Sequence, residues 1–168
     1  LRSDNPDDYL DIIKNDGSYD FSIFDDGMAF GVRPSMYLDN PKVLFTSPAS
    51  GGKTESGLTS VSDYSRNEYK LTVLDADRNN FLVTKKSQSG STIQFDYDLA
   101  KTGNKEFISA MIVNGDTVKY YGRIKNVNVE SGTLSLSIPS TVDANNGDRL
   151  FVFNEQCNGD YKTDYASP

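Results

Sequence analysis

Histidine and tryptophan are absent from this 168-residue sequence, and Cys157 is its only cysteine. Without histidine the chain has neither a Cys/His zinc site nor a Ser-His-Asp triad. A lone cysteine makes no disulfide within the chain, so we expect Cys157 to be a small, partly buried side chain in or beside the last strand. We therefore predict a protein that is not an enzyme and has no cofactor, with calcium as the one ion left open.

Long apolar runs and excess positive charge are also missing. No apolar stretch approaches the roughly 20 residues needed to span a bilayer. The 24 Asp and Glu residues outnumber the 17 Lys and Arg residues, and the net charge of −7 would repel a nucleic-acid backbone. The sequence thus predicts neither membrane insertion nor nucleic-acid binding.

The second half of the chain alternates apolar and polar residues with a period of two, which is typical of β-strands with one buried face. The predicted strands are Tyr69 to Leu74, Phe81 to Lys85, Ser91 to Leu99, Glu106 to Val113, Thr117 to Asn126, Gly132 to Ile138 and Arg149 to Glu155. Asn114-Gly115 supplies the positive φ angles of a tight hairpin turn. This number and spacing of strands predicts an all-β fold, an immunoglobulin-like β-sandwich of about seven strands. Its expected core residues are Leu71, Val73, Phe95, Ile112, Ile124, Leu136 and Val152.

A short β-meander is predicted to precede the sandwich. Its expected strands are Ser18 to Phe24, Met28 to Val32 and Ser35 to Leu38, with a turn around Asn15-Asp16-Gly17. A meander of this size is marginal alone. Residues 47–66 are rich in Ser, Gly and Thr and are expected to form a linker. We therefore divide the chain into strands within residues 1–46, a linker at 47–66 and the sandwich at 67–168.

The expected linker contains Gly51-Gly52-Lys53-Thr54, which nearly matches a phosphate-binding loop. Position 47 is Ser where the motif requires its first glycine, and the residues after Thr54 make a poor helix start. The motif needs backbone amides at a helix N-terminus. We therefore expect a flexible linker here and not a nucleotide site.

Two other groups of residues are candidate binding sites. Asp143, Asn145 and Asp148 lie in one acidic loop and offer oxygen ligands for calcium, although Asp and Asn are also ordinary turn residues that bond their own backbone. Tyr120, Tyr121 and Tyr161 are candidates for ligand binding, by stacking on sugar rings or by anchoring a protein partner. Adjacent strand residues point to opposite faces, so one of Tyr120 and Tyr121 should be buried, and cross-strand packing is the alternative role.

Two stretches of the sequence resemble modules of secreted Gram-positive bacterial proteins. The first includes Asn15-Asp16-Gly17-Ser18, Gly31-Val32-Arg33-Pro34 and Val43-Leu44-Phe45-Thr46-Ser47. It resembles the C-terminal end of an uncharacterised module similar to the C-type-lectin and formylglycine-generating-enzyme fold, so residues 1–46 would be the last strands of an incomplete lectin-like module. The second includes Tyr120-Tyr121-Gly122-Arg123-Ile124-Lys125, Leu150-Phe151-Val152-Phe153-Asn154-Glu155-Gln156 and Thr163-Asp164-Tyr165-Ala166-Ser167. It resembles the β domain that commonly follows that module.

The resemblance implies an extracellular, multidomain protein that is secreted or displayed on the bacterial surface. We expect a non-catalytic structural or interaction module whose partners are neighbouring domains of the same polypeptide. The alternative is an adhesin-like or lectin-like module that binds carbohydrate or protein, with a glycan or a host or bacterial surface protein as its partner. A hydrolase with paired carboxylates would need two acids about 5–10 Å apart in a cleft, a distance that one sequence does not fix.

Some Gram-positive surface sandwiches carry a self-formed amide between a lysine on an early strand and an asparagine on the last, assisted by a buried carboxylate. Lys70 and Asn154 lie on predicted strands of that kind, and any of several acidic residues would be the helper. We therefore name this pair as the candidate isopeptide site. Its formation would release ammonia, a mass loss of about 17 Da.

Overall fold

The computed structural model describes residues 9–13, 19–23, 40–53, 55, 57–61 and 68–167. The chain divides into two units, Leu1–Tyr37 and Leu38–Pro168. Each unit has its own sheet structure, and the second contains the sandwich.

The first unit contains an antiparallel hairpin of β1 (Tyr9–Ile13) and β2 (Tyr19–Ile23). The β2 strand confirms the strand predicted at residues 18–24. The other predicted features of the meander, which are the turn at residues 15–17 and the strands at residues 28–32 and 35–38, lie outside the described residues.

The second unit is built from short strands joined by turns. Its strands are β3 (Val43–Pro48), β4 (Thr59–Ser60), β5 (Tyr69–Leu74), β6 (Leu82–Ser89), β7 (Thr92–Asp98), β8 (Glu106–Asn114), β9 (Thr117–Asn126), β10 (Gly132–Ser137), β11 (Asp148–Gln156) and β12 (Asp164–Ser167). Short 3-10 helices occur at Asn40–Lys42, Ala76–Arg78 and Ala144–Asn146. Within the described part of the chain no α-helix is found, and no helix is long and apolar enough to cross a membrane.

These strands form two sheets. The larger has seven strands in the order β3-β5-β12-β11-β8-β9-β4, and the smaller has three in the order β10-β7-β6. The β12 strand runs parallel to β5, whereas its other neighbour, β11, is antiparallel. The predicted all-β sandwich is confirmed, while its immunoglobulin-like character stays a prediction.

All seven strands predicted for the second half are present, with ends that shift by a few residues. The hairpin of β8 and β9 is confirmed, with Asn114 paired to Thr117 and Gly115 at a φ of +57° in the turn. Glycine adopts this left-handed conformation without the penalty of a Cβ. The local patterns therefore predicted the strands and the place of this turn, but of the two residues expected to have a positive φ only Gly115 does, because Asn114 is the last residue of β8.

The main hydrophobic cluster lies between the two sheets and includes Phe95 and Leu136 of the smaller sheet and Ile108 of the larger. Five predicted core residues are buried or pack against this cluster: Phe95, Ile112, Ile124, Leu136 and Val152. Leu71 and Val73 are only partly buried. They belong to β5, next to the edge strand β3, and neither is a member of the described cluster.

The structure divides the chain differently from the predicted scheme. Residues predicted to end the first module form β3, which pairs with β5, and residues 59–60 of the expected linker form β4, which pairs with β9. A Ser-, Gly- and Thr-rich composition resembles a linker, but here residues 47–48 pair with β5 and residues 59–60 pair with β9, so these parts of the expected linker belong to the larger sheet. The boundary between units accordingly falls between residues 37 and 38.

Candidate functional site

The larger sheet has a second buried face, on the side away from the main cluster. Met111, Tyr121, Phe153 and Ala166 form a small hydrophobic cluster there, with Phe45 packed against it. The strands β3 and β4 are the opposite edges of this sheet, so the chain that joins them must pass across it. We call residues 49–58 the crossing segment.

Glycines let the crossing segment approach the sheet closely. Gly51 has a φ of +67°, and a Cβ added to Gly52 would lie 2.5 Å from Pro48 Cδ. At the other end, a Cβ added to Gly122 of β9 would lie only 1.8 Å from the Gly57 carbonyl oxygen. Contacts below 3.0 Å leave no room for a side chain, so these positions require glycine.

Hydrogen bonds with Asp160 and Arg123 hold the crossing segment at Ser50, Gly51 and Lys53. Asp160 accepts hydrogen bonds from Ser50 Oγ at 2.8 Å and from the Gly51 amide at 3.3 Å. These two bonds lower the pKa of Asp160. Arg123 Nη2 donates to the Lys53 carbonyl oxygen at 2.7 Å. Residues 50–53 of the segment thus have a defined position over the sheet.

Lys53 of the crossing segment is the centre of a buried ionic cluster. The residue is only 7% exposed, and its Nζ contacts the Glu155 carboxylate. The same Nζ lies 2.7 Å from Asp164 Oδ2 and 2.7 Å from Thr72 Oγ1. An ammonium group has three donors, so all of them have an acceptor.

Glu155 is fully buried on β11 and is bound through both of its oxygens. Its Oε1 contacts Lys53, and its Oε2 accepts hydrogen bonds from Ser109 Oγ at 2.6 Å and from Tyr121 Oη at 2.5 Å. Burial, followed by the charge of Glu155, raises the pKa of Tyr121 well above its usual value. Tyr121 is therefore a hydroxyl donor to a carboxylate.

Asp164 on β12 is also fully buried and faces a second lysine. Its Oδ2 lies 2.8 Å from Lys70 Nζ, and its Oδ1 accepts the Asn158 amide at 2.8 Å. Burial alone would raise the pKa of Asp164, but the charge and hydrogen bonds of Lys53, with the bond from Lys70, lower it below its ordinary value. Two lysines therefore face two carboxylates, and the charges of the ionic cluster balance.

Cys157 lies beside the ionic cluster. Its sulfur and one carboxylate oxygen each of Glu155 and Asp164 lie within 4.8 Å of one another, which is a spacing compatible with a metal site. Burial, followed by the charge of Glu155, raises the pKa of the Cys157 thiol to about 12. The thiolate is the form that binds metal, and Lys53 Nζ already contacts both carboxylates, so the arrangement is better suited to an ammonium than to a metal ion.

The three candidate tyrosines do not share one surface. Tyr121 is buried, so it is not an exposed ligand-binding residue. Tyr120 is half-buried, and its Oη is 2.5 Å from Thr141 Oγ1. Tyr161 is 67% exposed. The opposite orientation predicted for the adjacent pair is observed, because only Tyr121 faces the small hydrophobic cluster.

Asp143 and Asp148 of the candidate calcium loop already have hydrogen-bond partners within the protein. Asp143 Oδ1 accepts the Asn145 amide at 2.8 Å, which caps a 3-10 helix. Asp148 accepts hydrogen bonds from Lys119 Nζ at 2.7 Å and from Asn114 Nδ2 at 2.8 Å. These bonds, the one from Lys119 first, lower the pKa of Asp148 to about 2. The geometry is that of a turn stabilised by an ion pair.

The candidate isopeptide pair is not brought together. Lys70 shares a sheet face with Thr72, which pairs with Asp164, whereas Asn154 is adjacent to Glu155 and so points to the opposite face. Asn154 Oδ1 instead accepts the Lys101 amide at 2.9 Å. The predicted pairing of Lys70 with Asn154 is therefore wrong, because adjacent residues on β11 face opposite sides of the sheet and Glu155 is the one on the side of Lys70.

The residue of the candidate site that the sequence does not predict is Lys53, which lies in the expected flexible linker. Two sequence features favour the ionic cluster in retrospect. Glu155 follows Phe151 and Phe153 at a spacing of two on one strand, which places a carboxylate on an otherwise apolar face. Asp164 likewise alternates with Ala166. Neither feature indicates which lysine lies opposite.

Comparisons with protein-family models, with curated protein sequences and with solved structures found no match for this chain. The geometry of the described residues is thus the basis on which a function is assigned.

Proposed function

We propose that this chain is a non-catalytic structural module of an extracellular bacterial protein, in which the sandwich spaces or presents neighbouring domains. The observation that carries the proposal is the ionic cluster. Its charged side chains are buried, and they form ion pairs with one another. An active site needs access for its substrate, whereas a sealed and balanced cluster acts on the stability of the fold.

The composition supports the β fold, and the resemblance to a known domain supports the extracellular assignment. The sequence is rich in Ser, Thr, Asn and Asp, which suits polar turns between strands. It also resembles the β domain that follows a lectin-like module in secreted Gram-positive proteins. A secreted spacer of this kind would work through its packing and its surface.

The sign of the stability change on breaking the ionic cluster tests this proposal. Removing one partner of a buried ion pair leaves an uncompensated charge and costs about 3–5 kcal/mol. We expect Lys53→Met and Glu155→Gln to lower the free energy of unfolding by that amount, measured by urea denaturation. Lys86→Met, which breaks an exposed pair with Asp96, is the matched control and should leave the urea midpoint near that of the wild type.

An increase in stability would contradict the proposal. Catalytic groups are commonly held at a cost in stability, so replacing them tends to stabilise the fold. If Lys53→Met or Glu155→Gln unfolded at a higher urea concentration than the wild type, the ionic cluster would be better explained as a reactive site than as a structural one.

A second candidate function is the binding of a protein partner, and one cavity favours it. An open cavity of about 450 Å³ lies between the two sheets at one end of the sandwich. Its apolar lining includes Ile93, Ile138 and Leu150, and no aromatic ring is among its described lining residues. Because sugars stack on aromatic rings, an aliphatic side chain is a better occupant than a glycan.

A glycan array separates the structural proposal from the lectin-like alternative. The purified chain, applied with calcium and then with a chelator, should give no saturable binding if the module is structural. Dose-dependent binding to a defined sugar would favour the carbohydrate-binding function instead, and loss of that binding with chelator would place calcium in its site.

A further inference from the structure

The ionic cluster contains the parts of a condensation reaction. A lysine nitrogen, a carboxyl group to receive it and a second carboxylate to carry protons lie in one site that excludes water. We propose that Lys53 and Asp164 condense into an intramolecular amide and that Glu155 transfers the protons. The inference rests on the proposed structural function and deepens it, because the amide would make the stabilisation covalent.

Lys53, and not Lys70, is the nucleophile. Both lysines reach Asp164 Oδ2, at 2.7 and 2.8 Å. An ammonium group attacks only after it loses a proton, and Lys53 Nζ contacts the Glu155 carboxylate, which is able to accept one. The other partner of Lys70 is the Gly159 carbonyl oxygen at 3.1 Å, which is not a base.

Asp164, and not Glu155, is the acyl group. The attack places negative charge on the carboxyl oxygens, and donors that already point at them stabilise this charge. Asp164 receives the Lys70 ammonium on Oδ2 and the Asn158 amide on Oδ1. Glu155 Oε2 receives two neutral hydroxyls, from Ser109 and Tyr121. The positive charge at Asp164 distinguishes the two acids.

The reaction balances without another reagent. Lys53 gives a proton to Glu155, and its nitrogen lone pair then forms a bond to Asp164 Cγ as the carbonyl electron pair moves to oxygen. Glu155 then gives its proton to one of the two Asp164 oxygens. Through Glu155, the Lys53 nitrogen transfers a second proton to that same oxygen. The bond between this oxygen and Cγ breaks, and water leaves. One ammonium and one carboxylate become one neutral amide and one water, and Glu155 ends as a carboxylate.

The site favours this condensation for two reasons. Reactants held in contact behave as if at an effective concentration of about 10⁵–10⁸ M. The amide also removes two opposite charges from a buried site, where each charge has lost its hydration. In bulk water the ion pair would be the favoured state, so burial is the condition that reverses the preference.

The position of the bond connects the two ends of the sandwich unit. Lys53 follows β3, the first strand of the unit, and Asp164 begins β12, the last. The two residues are separated by 111 positions along the chain. A tension applied to both ends would then pass through the amide and bypass the strands between them.

Intact mass spectrometry of the denatured chain tests the proposal. We expect a mass about 18 Da below that of the sequence, the mass of one water. Proteolysis and tandem mass spectrometry should place the bond between the peptides that contain Lys53 and Asp164. Lys53→Met and Glu155→Gln should show the full sequence mass. Lys119→Met should keep the deficit, because it breaks a partly exposed pair with Asp148, at 2.7 Å, outside the ionic cluster.

Several outcomes would overturn the inference. A wild-type mass equal to that of the sequence would refute the amide, and a bond mapped to Lys70 or to the Glu155 carboxyl would refute the assignment. A full deficit in folded Glu155→Gln, with folding checked by circular dichroism, would remove Glu155 from the reaction. These results are separable from the structural proposal, because a destabilised Lys53→Met variant beside an uncondensed wild type would refute the amide alone.

Discussion

Replacing Gly122 by alanine tests whether the crossing segment packs against the sheet. The added Cβ would lie 1.8 Å from the Gly57 carbonyl oxygen, 2.6 Å from its carbon and 3.2 Å from the Leu58 nitrogen. All three are backbone atoms, so no side-chain rotation relieves the contact. The crossing segment must therefore move away from β9.

The magnitude follows from two contributions. Overpacking a tight site costs about 1–3 kcal/mol. Displacement of the segment also weakens the short β4–β9 pairing, in which the Val61 amide donates to the Lys119 carbonyl oxygen at 2.9 Å. One lost hydrogen bond of this kind costs about 0.5–1.5 kcal/mol. We expect Gly122→Ala to lower the free energy of unfolding by about 2–4 kcal/mol.

Urea denaturation measures this loss, and hydrogen exchange locates it. The Val61 amide should exchange faster in Gly122→Ala than in the wild type. Gly90→Ala is the matched control, because Gly90 has a φ of +57° with no atom within 4 Å of an added Cβ. It should cost about 1–2 kcal/mol through backbone strain alone and should leave Val61 protected. A Gly122→Ala variant with wild-type stability and an unchanged Val61 amide would refute the packing of the crossing segment and, with it, the burial of Lys53.

Two further predictions concern the sandwich itself. Leu136→Ala should lower the free energy of unfolding by about 2–5 kcal/mol, because Leu136 is only 1% exposed and its truncation opens a cavity. Leu82→Ala, at a site that is 57% exposed, is the control and should change the free energy of unfolding little. Equal urea midpoints for the two variants would contradict the assignment of the core. Because the pKa of Asp148 is lowered to about 2, its ionised form stabilises the fold above the unfolded-state pKa near 3.9, and this stabilisation is lost as the pH falls toward 2. Asp148→Asn should therefore be less stable than the wild type at pH 7, and the difference in urea midpoint should disappear between about pH 5 and 2; a difference independent of pH would contradict the ion pair with Lys119.

The strands were predictable from the sequence because their pattern is local. Alternation over six to nine residues determines which side chains share a face, and Asn114-Gly115 selects a tight turn without help from the rest of the chain. The observed β8–β9 hairpin and the burial of Phe95 and Leu136 follow from these patterns. Leu71 and Val73 follow the same alternation, but their burial depends on how far the smaller sheet extends, which is not a local property.

The ionic cluster was not predictable because its contacts are distant in sequence. Lys53 lies 19 positions from Thr72, 102 from Glu155 and 111 from Asp164. Alternation places Glu155 and Asp164 on a face of their own strands, but only the register of β11, β12 and β5 shows that these faces coincide. The sequence does not show this register, and for that reason it also predicts a pair of Lys70 and Asn154, although Asn154 faces the opposite side of the sheet.

Charged residues suit the second face of the larger sheet for a physical reason. Among the described residues, the crossing segment lies over this face through Lys53, and residues 49–58 are rich in Ser, Gly and Thr with few apolar side chains to bury. A long lysine side chain that reaches into the sheet supplies what such a segment lacks, a fixed point of attachment. Its ammonium group also lies near two aromatic rings, with Nζ 4.9 Å from the centre of the Phe45 ring and 5.5 Å from that of Tyr121.

The ionic cluster also couples two parts of the fold that are otherwise weakly attached. The last strand, β12, has only four residues, and β4, which follows the crossing segment, has only two. If β12 separates, Lys53 loses Asp164, and if the crossing segment separates, both Glu155 and Asp164 lose Lys53. Either opening leaves a buried charge without its partner, which costs several kcal/mol. Two short elements that would fray independently are therefore expected to open together, and the ion pair alone is sufficient for this coupling whether or not it condenses.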